Sequence, residues 1–449
     1  MQDLTTGSLV RHLLKTASFM LVTMVFQTLY SLIDLYWVGR LGKEAVAAVG
    51  ISGNLSFVVL AISQMLGVGT TTLVSHAAGR RDKPQALLVF NQSVVLSSLA
   101  GVIFFVLAMA LRTAYAGRFA ADALTADLTS DYLLWFIPAM ALQFGIVAMS
   151  AALRGTGNFK PGMVVQSSTV VLNMVLAPFL IFGWGTGHPL GVAGAAISTL
   201  VAVVVGSVWL TLYFLPEDSF LRFVPADARP QLGLWGRMLK IGLPAGAEFG
   251  MTTIYMLLVY IVTRPFGAAA QAGFGVGLRI VLAGYLPVVA LGFSVAPVAG
   301  QNFGARRPER VRQTFLMGAV LSAVLMAAFA VLCHIAPAAM VRIFSQDPQV
   351  VSVGEEYLRV ISWGFVATGV VFVASSTFQA MGNTLPSLAT SFLRVLIVAV
   401  PVILLSRQPG FELRWIWYLS VGAVLLQVVA SLWLLWREFE LRLTSMEPA

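Results

Sequence analysis

Charge is what this chain lacks. Only 10% of its 449 residues are Asp, Glu, Lys or Arg, where a soluble protein carries about 25%. Mean hydropathy is +0.87. A water-soluble globular domain and a disordered chain are both excluded. Cysteine is nearly absent too. Cys333 stands alone, which excludes a disulfide framework and a cysteine metal site. The histidines His12, His76, His188 and His334 are scattered, with no metal-ligand spacing among them. No Gly-x-x-x-x-Gly-Lys-Ser/Thr loop is present to hold ATP, so a primary pump is not expected. His-Glu-x-x-His, Gly-x-Ser-x-Gly and paired aspartates on one helix are missing as well, so the chain does not read as an enzyme. Gly273-x-Gly275-x-Gly277 resembles half a dinucleotide fingerprint, but it opens an apolar segment with no soluble strand before it, and reads as helix packing. No cofactor and no nucleic-acid partner are expected. The net charge of +9 fits basic loops held on one side of a membrane.

What is present is long apolar runs. They are helix-sized, roughly 20 residues each, and lack the ten-residue alternation of an outer-membrane barrel. We read an all-α polytopic membrane protein with twelve transmembrane helices. The spans lie near 12–38, 50–75, 89–112, 130–153, 162–183, 191–214, 238–262, 275–300, 314–337, 355–378, 387–406 and 413–437. Pro138, Pro178, Pro287, Pro297 and Pro401 fall inside spans, where neighbouring helices take up the freed backbone groups. The polar, basic N-terminus runs into a segment too long for a signal h-region, so no cleavable signal peptide is expected. Basic residues sort by side. Inner segments carry Arg11, Lys15, Arg80, Arg81, Lys83, Arg154, Lys160, Arg222, Arg229, Arg237, Lys240, Arg306, Arg307, Arg310, Arg312, Arg437 and Arg442. Outer segments carry fewer: Arg40, Lys43, Arg112, Arg118, Arg264, Arg342, Arg407 and Arg414. The positive-inside rule then places both termini of this multi-pass protein in the cytoplasm; a prokaryotic inner membrane is the expected location.

The chain repeats itself. Gly42 recurs as Gly267, and the same offset links Gly50 to Gly275, Gly67 to Gly292, Gly79 to Gly304 and Tyr132-Leu133 to Tyr357-Leu358. It also links Gly157-Asn158-x-x-Pro161 to Gly382-Asn383-x-x-Pro386. The register holds without a gap and extends to polar loop residues. The expected organisation is an N-terminal six-helix bundle (1–215), a Pro-rich cytoplasmic linker (216–235) and a C-terminal six-helix bundle (236–449). Repeats in the same orientation are related by an axis along the membrane normal, an architecture of secondary transporters.

The repeat breaks at charged residues. Asp34 has Val259 opposite it, Glu248 has Thr23, Arg279 has Asn54, and Arg394 has Thr169. Asp34 lies in an apolar run with no basic residue to pair with in the N-terminal spans. An ionisable group at membrane depth is costly and marks a functional site by default. A carboxylate without a cation takes up a proton or holds a small cation more readily than one facing arginine. Glu248 is different: Arg279 and Arg394 are available as structural partners, although a functional role is equally open. Gln27 and Tyr30 share a helix face with Asp34. Asn173 and Thr199 are further polar residues in apolar runs, able to offer oxygens to one site. Asn54 and Gln143 are additional candidates for contact with a substrate.

These residues carry a resemblance. Gln27-x-x-Tyr30-x-x-x-Asp34 followed by Val38-Gly39-Arg40-Leu41-Gly42 resembles the first-span signature of the multidrug and toxic compound extrusion (MATE) transporters. Leu153-Arg154-Gly155-x-Gly157-Asn158, Ala299-Gly300-Gln301-Asn302-x-Gly304-Ala305, and Asn173 with Pro178 are similar to further motifs of that family. The resemblance implies two pseudo-symmetric six-helix bundles (6+6) around a V-shaped central cleft, exporting organic cations and drugs in exchange for H⁺ or Na⁺. It assigns Asp34, Asn173 and Thr199 to cation coupling, and these would be the ligands if the ion were Na⁺. It assigns Gln27 and Tyr30 to the pocket beside them. Three positions depart from relatives: Ala177 replaces an Asp or Asn four residues after Asn173, Phe19 replaces a first-span proline, and Thr368 stands where sodium-type members have an acid. Pro244 occupies the equivalent of Phe19 in the seventh span. The departures favour proton coupling through Asp34. The expected partners are small-molecule drugs or toxic organic cations and the lipid bilayer, with a monomer sufficient. A lipid-linked oligosaccharide flippase of the same superfamily is the alternative, and a membrane channel or receptor a second one of another class.

Overall fold

A computed structural model describes residues 1–185, 187–406 and 408–446; Arg407, counted above among the outer basic residues, lies outside them. In hydrocarbon every backbone N–H and C=O needs an internal partner, and helices meet that need within one segment. The described residues are accordingly helical, with no strand. The helices are α1 (Leu9–Gly39), α2 (Lys43–Gly79), α3 (Lys83–Phe119), α4 (Ala123–Gly155), α5 (Lys160–Phe182), α6 (Gly191–Tyr213), α7 (Leu232–Thr263) and α8 (Ala268–Gly304). Then follow α9 (Pro308–Ile335), the short α10 (Pro337–Arg342), α11 (Pro348–Ile361), α12 (Phe365–Ala380), α13 (Leu385–Leu405) and α14 (Leu413–Leu443). A 3₁₀ turn joins α11 to α12 into one span, so 12 segments among the described residues are long and apolar enough to cross a membrane.

Most helices outrun the sequence-based spans. The fourth and tenth spans, expected from about 130 and 355, start at Ala123 and Pro348. The cause is capping. Asp122 accepts a hydrogen bond from the Thr125 N–H at 2.8 Å, and Asp347 accepts one from the Gln349 N–H at 2.8 Å. Each satisfies donors that a helix start leaves free. The two aspartates are themselves a repeat pair, in the same register as Gly42 and Gly267. The bonds from Thr125 hold the exposed Asp122 carboxyl below the usual carboxylate range.

Two compact units divide the chain. Unit 1 comprises Met1–Asp3 and Ser18–Gly242; unit 2 comprises Leu4–Ala17 and Leu243–Ala449. The boundaries differ from a division at a 216–235 linker. They fall inside helices, after Ala17 in α1 and after Gly242 in α7, two positions that the repeat again makes equivalent. Unit 1 therefore takes in the start of α7, and unit 2 the start of α1.

In unit 1, α4 is the central helix, packed on α2, α3 and α6. The start of α7 packs closely on α2, where a Cβ on Gly69 would meet the Met238 carbonyl oxygen at 2.5 Å. The linker is not loose. The Asn91 side chain donates to the Arg222 carbonyl (3.1 Å) and accepts from the Val224 N–H (3.0 Å). Gln92 accepts from the Gln231 N–H at 2.9 Å, and Phe90 packs against Phe214 and Phe223. In unit 2, α12 packs on α8, α9 and α14, the repeat counterparts of α2, α3 and α6. The N-terminal peptide lies on this unit. Leu4, fully buried, donates to Gln301 Oε1 at 3.0 Å and accepts from Asn302 Nδ2 at 3.2 Å.

The repeat has a backbone reason. Gly42 and Gly267 precede helices with φ of +122° and +91°; Gly157 and Gly382 turn the chain with φ of +76° and +74°. Next to the latter pair, Asn158 donates to the Tyr213 hydroxyl and Asn383 to Glu438 Oε1, each at 3.0 Å. Replacing Gly157 or Gly382 by alanine is expected to destabilise by about 1–2 kcal/mol each, the cost of a left-handed residue with a Cβ. Gly145→Ala, in a helix with open space around it, is expected to be neutral or mildly stabilising. Thermal unfolding of the purified variants checks both expectations.

Candidate functional site

Asp34 lies a turn before the end of α1. It is 8% exposed, and its Oδ1 is buried with no hydrogen-bond partner. No ion pair reaches it among the described residues. Tyr30, one turn earlier on α1, and the buried Tyr132 of α4 are polar neighbours of it. The Tyr30 hydroxyl is 3.0 Å from Thr199 Oγ1. Asn173 donates to that same oxygen at 3.0 Å and lies 3.3 Å from Ser198 Oγ. Three helices, α1, α5 and α6, thus converge on one polar chain: Tyr30, Thr199, Asn173, Ser198, with Asp34 at its side. The helical period explains the arrangement, because Tyr30 and Asp34 are one turn apart on a single face.

An apolar cluster walls the site. Val38, Tyr132, Ala177, Ile181, Val192, Ala195 and Ala196 pack together, with Trp37 and Leu41 against them. Ala177 is buried in this cluster and offers no side-chain oxygen to the site. Beyond the cluster, Arg40 lies over the rings of Trp37 and Phe182 at 6.0 and 5.7 Å.

The other expected residues do not join this chain. Gln27 is exposed on α1. Asn54 is exposed on α2 and faces Tyr115, whose hydroxyl donates to the Ile51 carbonyl at 2.8 Å. Gln143 is half-buried on α4 and makes none of these bonds. Ser198 and Tyr132 belong to the site but escaped the sequence reading. Ser198 adjoins Thr199, which was the available signal, and Tyr132 stood out only as a marker of the repeat.

Unit 2 has an acid of its own, and here the pairing with arginine fails. Glu248 takes hydrogen bonds from Ser375 Oγ (2.9 Å) and Ser391 Oγ (3.4 Å). Ser391 in turn accepts from Gln427 Nε2 at 3.3 Å. Arg394 stacks over the Tyr255 ring at 4.8 Å, with its Nε buried and without a hydrogen-bond partner. Arg279 is exposed and pairs with no acid among the described residues. Serine hydroxyls, short and carried on α12 and α13, reach the carboxylate where the arginines on their longer stems turn elsewhere. Thr368, at the position of the sodium-type acid, donates to the Gly364 carbonyl of its own helix at 3.0 Å. No group of three or more His, Cys, Asp or Glu suited to a metal occurs among the described residues.

Because hydroxyls hold Glu248, Glu248→Gln is expected to cost under about 1 kcal/mol. Glu248→Ala, which strands the buried serines, is expected to cost about 1–3 kcal/mol. A structural ion pair would instead make Glu248→Gln cost about 3–5 kcal/mol. Thermal melts of the two variants decide.

Comparison with known proteins agrees with this plan. The MatE family profile matches residues 20–179 and 244–405, one stretch in each half of the repeat. The "Multidrug export protein MepA" of Staphylococcus haemolyticus is 26% identical over 367 residues, 81% of this chain and 80% of that protein. A "FAD transporter" of Shewanella oneidensis is 25% identical over 378 residues, 83% of this chain and 82% of its own length. Among solved structures, one described as the outward-facing conformation of a multidrug resistance MATE family transporter of the MOP superfamily superposes with a TM-score of 0.89 at 24% identity, covering 99% of this chain and 98% of the other. With most of its length matched in two repeat-related stretches on a twelve-span helical fold, the chain belongs to the MATE family of membrane transporters.

Proposed function

We propose that this transporter is a multidrug exporter that exchanges protons for amphipathic organic cations, with Asp34 carrying the coupling. The observation that carries the reading is the buried Asp34 carboxyl, which has no cationic partner among the described residues. A proton and a cationic drug both relieve such a group, and they compete for it. A proton entering from outside neutralises Asp34, and the drug leaves outward. Each charge moved through 100 mV contributes ~2.3 kcal/mol, enough to drive such an exchange. Tyr30, Thr199 and Asn173 orient the site through their shared hydrogen bonds. Sodium is disfavoured because Na⁺ needs several oxygens, and Ala177 supplies a methyl group where another oxygen ligand would stand. The basic loops support an orientation with both termini in the cytoplasm.

A second cargo class is supported by one observation. The half-buried Arg394 of unit 2 has a buried Nε without a hydrogen-bond partner, suited to an anion, and a relative named as a FAD transporter is 25% identical to this chain. FAD therefore belongs in the same assay as a cationic dye.

The test is export from proteoliposomes under a pH gradient without Na⁺, then under a Na⁺ gradient without a pH gradient. The pH gradient alone is expected to drive dye export, and Asp34→Asn is expected to reduce it to the leak of empty liposomes. Dye export driven only by Na⁺, or retained in full by Asp34→Asn, contradicts the reading.

A further inference from the structure

Among the described residues, Arg81 and Arg306 are the non-glycine residues with positive φ, at +57° and +53°. They occupy the same position in the two halves of the repeat, one just past α2 and the other just past α8. Each closes its helix in the same way. The Arg81 N–H donates to the Ala78 carbonyl at 3.0 Å and the Asp82 N–H to that of Ala77 at 2.9 Å. The Arg306 N–H donates to the Phe303 carbonyl at 3.1 Å and the Arg307 N–H to that of Asn302 at 2.9 Å. This left-handed helix end is where glycine fits without strain. The same repeat uses glycine at Gly42, Gly157 and their partners. Both halves nevertheless carry arginine here, so the gain lies in the side chain.

Inside the protein that side chain has little to do. Arg306 is exposed, and its side chain makes no hydrogen bond or ion pair among the described residues. Glu309, the acid of its loop, takes Arg312 at 2.7 Å. The neighbouring arginines are committed to the N-terminal peptide: Arg307 donates to the Thr5 carbonyl at 2.7 Å and Arg310 to that of Gly7 at 3.2 Å. Arg81 faces a partly exposed Asp3 at 3.4 Å, with Arg80 and Lys83 in the same turn. The Arg306 loop thus keeps a positive surplus, and the Arg81 loop a smaller one, because Asp82 and Asp3 offset part of the charge of Arg80, Arg81 and Lys83. Both also sit at the end of 37-residue helices. Such helices are about 55 Å long, well beyond the ~30 Å hydrocarbon core, which puts their ends at headgroup level or outside it.

We propose that Arg306 and Arg81, with the basic residues beside them, are a repeated pair of binding sites for the phosphate of anionic phospholipid headgroups. The bilayer supplies the anion that the protein does not offer Arg306, and competes with Asp3 for Arg81. A helix-end cation does favour the C-terminal dipole, and basic loops do set topology. Neither role needs a particular lipid once the protein is folded and purified.

The test uses the full chain in nanodiscs of pure phosphatidylcholine and of phosphatidylcholine with phosphatidylglycerol. The readouts are thermal unfolding and the phosphatidylglycerol retained on extraction, measured by native mass spectrometry. For the wild type, phosphatidylglycerol is expected to raise the melting temperature and to be retained. Arg306→Gly is expected to melt no lower than wild type in pure phosphatidylcholine, because glycine accepts the backbone, while retaining lipid about fivefold less tightly. Arg306→Gln is expected to lose retention similarly, and Arg306→Lys to keep it. The proposal is overturned if phosphatidylglycerol leaves the wild type unmoved or if Arg306→Gly and Arg306→Gln retain it as wild type does. It is also overturned if inorganic phosphate reproduces the shift in pure phosphatidylcholine, which would mark a free-anion site. None of these readouts depends on which substrate or ion is transported.

Discussion

The candidate site of unit 1 turns on a buried carboxylate, Asp34, with no counter-charge among the described residues. Taking such a group out of water costs several kcal/mol even after relaxation, and a protein tolerates it only where binding something recovers the cost. The surroundings of Asp34 fit that use. One side is packed apolar residues, from Val38 to Ala196, which keep the local dielectric low. The other is a hydrogen-bonded row from Tyr30 to Ser198 that fixes the geometry without supplying positive charge. An arginine in this place would pair with the acid and turn the site into structure. Its absence from the site leaves Asp34 available to a proton or a cationic ligand.

The duplicated architecture shows what the membrane dictates and what function adds. Positive-φ glycines, capping aspartates and the Asn158 and Asn383 side-chain bonds recur at one offset because each solves a backbone problem common to both halves. Asp34 and Glu248 do not recur. Val259, the counterpart of Asp34, is buried in an apolar cluster, and Thr23, the counterpart of Glu248, bonds back to the Phe19 carbonyl. Each of these two acids stands at a position its twin has neutralised. Unit 2 surrounds its acid with serine hydroxyls, so the two sites differ in chemistry as well as position.

Much of this was legible in the sequence. Hydropathy located the interior of every span, since roughly 20 apolar residues in a row leave little choice in a bilayer. The ends were missed because their last turns are polar, and only capping residues such as Asp122 and Asp347 mark them. Asp34, Tyr30, Asn173 and Thr199 were found together because polar residues in apolar runs are rare. The serines around Glu248 were not, because a serine satisfies itself on its own helix as readily as it reaches a neighbour. Ser294 and Ser420, for example, each bond four residues back. The exchange of first turns between units through α1 and α7 also left no signal, because apolar packing partners are interchangeable in sequence. For Asn54 and Gln143 an isolated amide said too little about its direction.

In the proposed exchange a proton and a cationic substrate compete for Asp34. That competition is tested most directly by adding a cationic dye to the purified protein in weakly buffered detergent, near neutral pH, and recording the protons released. The account predicts proton release that rises with dye occupancy and saturates with it in the wild type, and none beyond buffer controls in Asp34→Asn. Dye binding by the wild type without proton release, or equal release from Asp34→Asn, would contradict it.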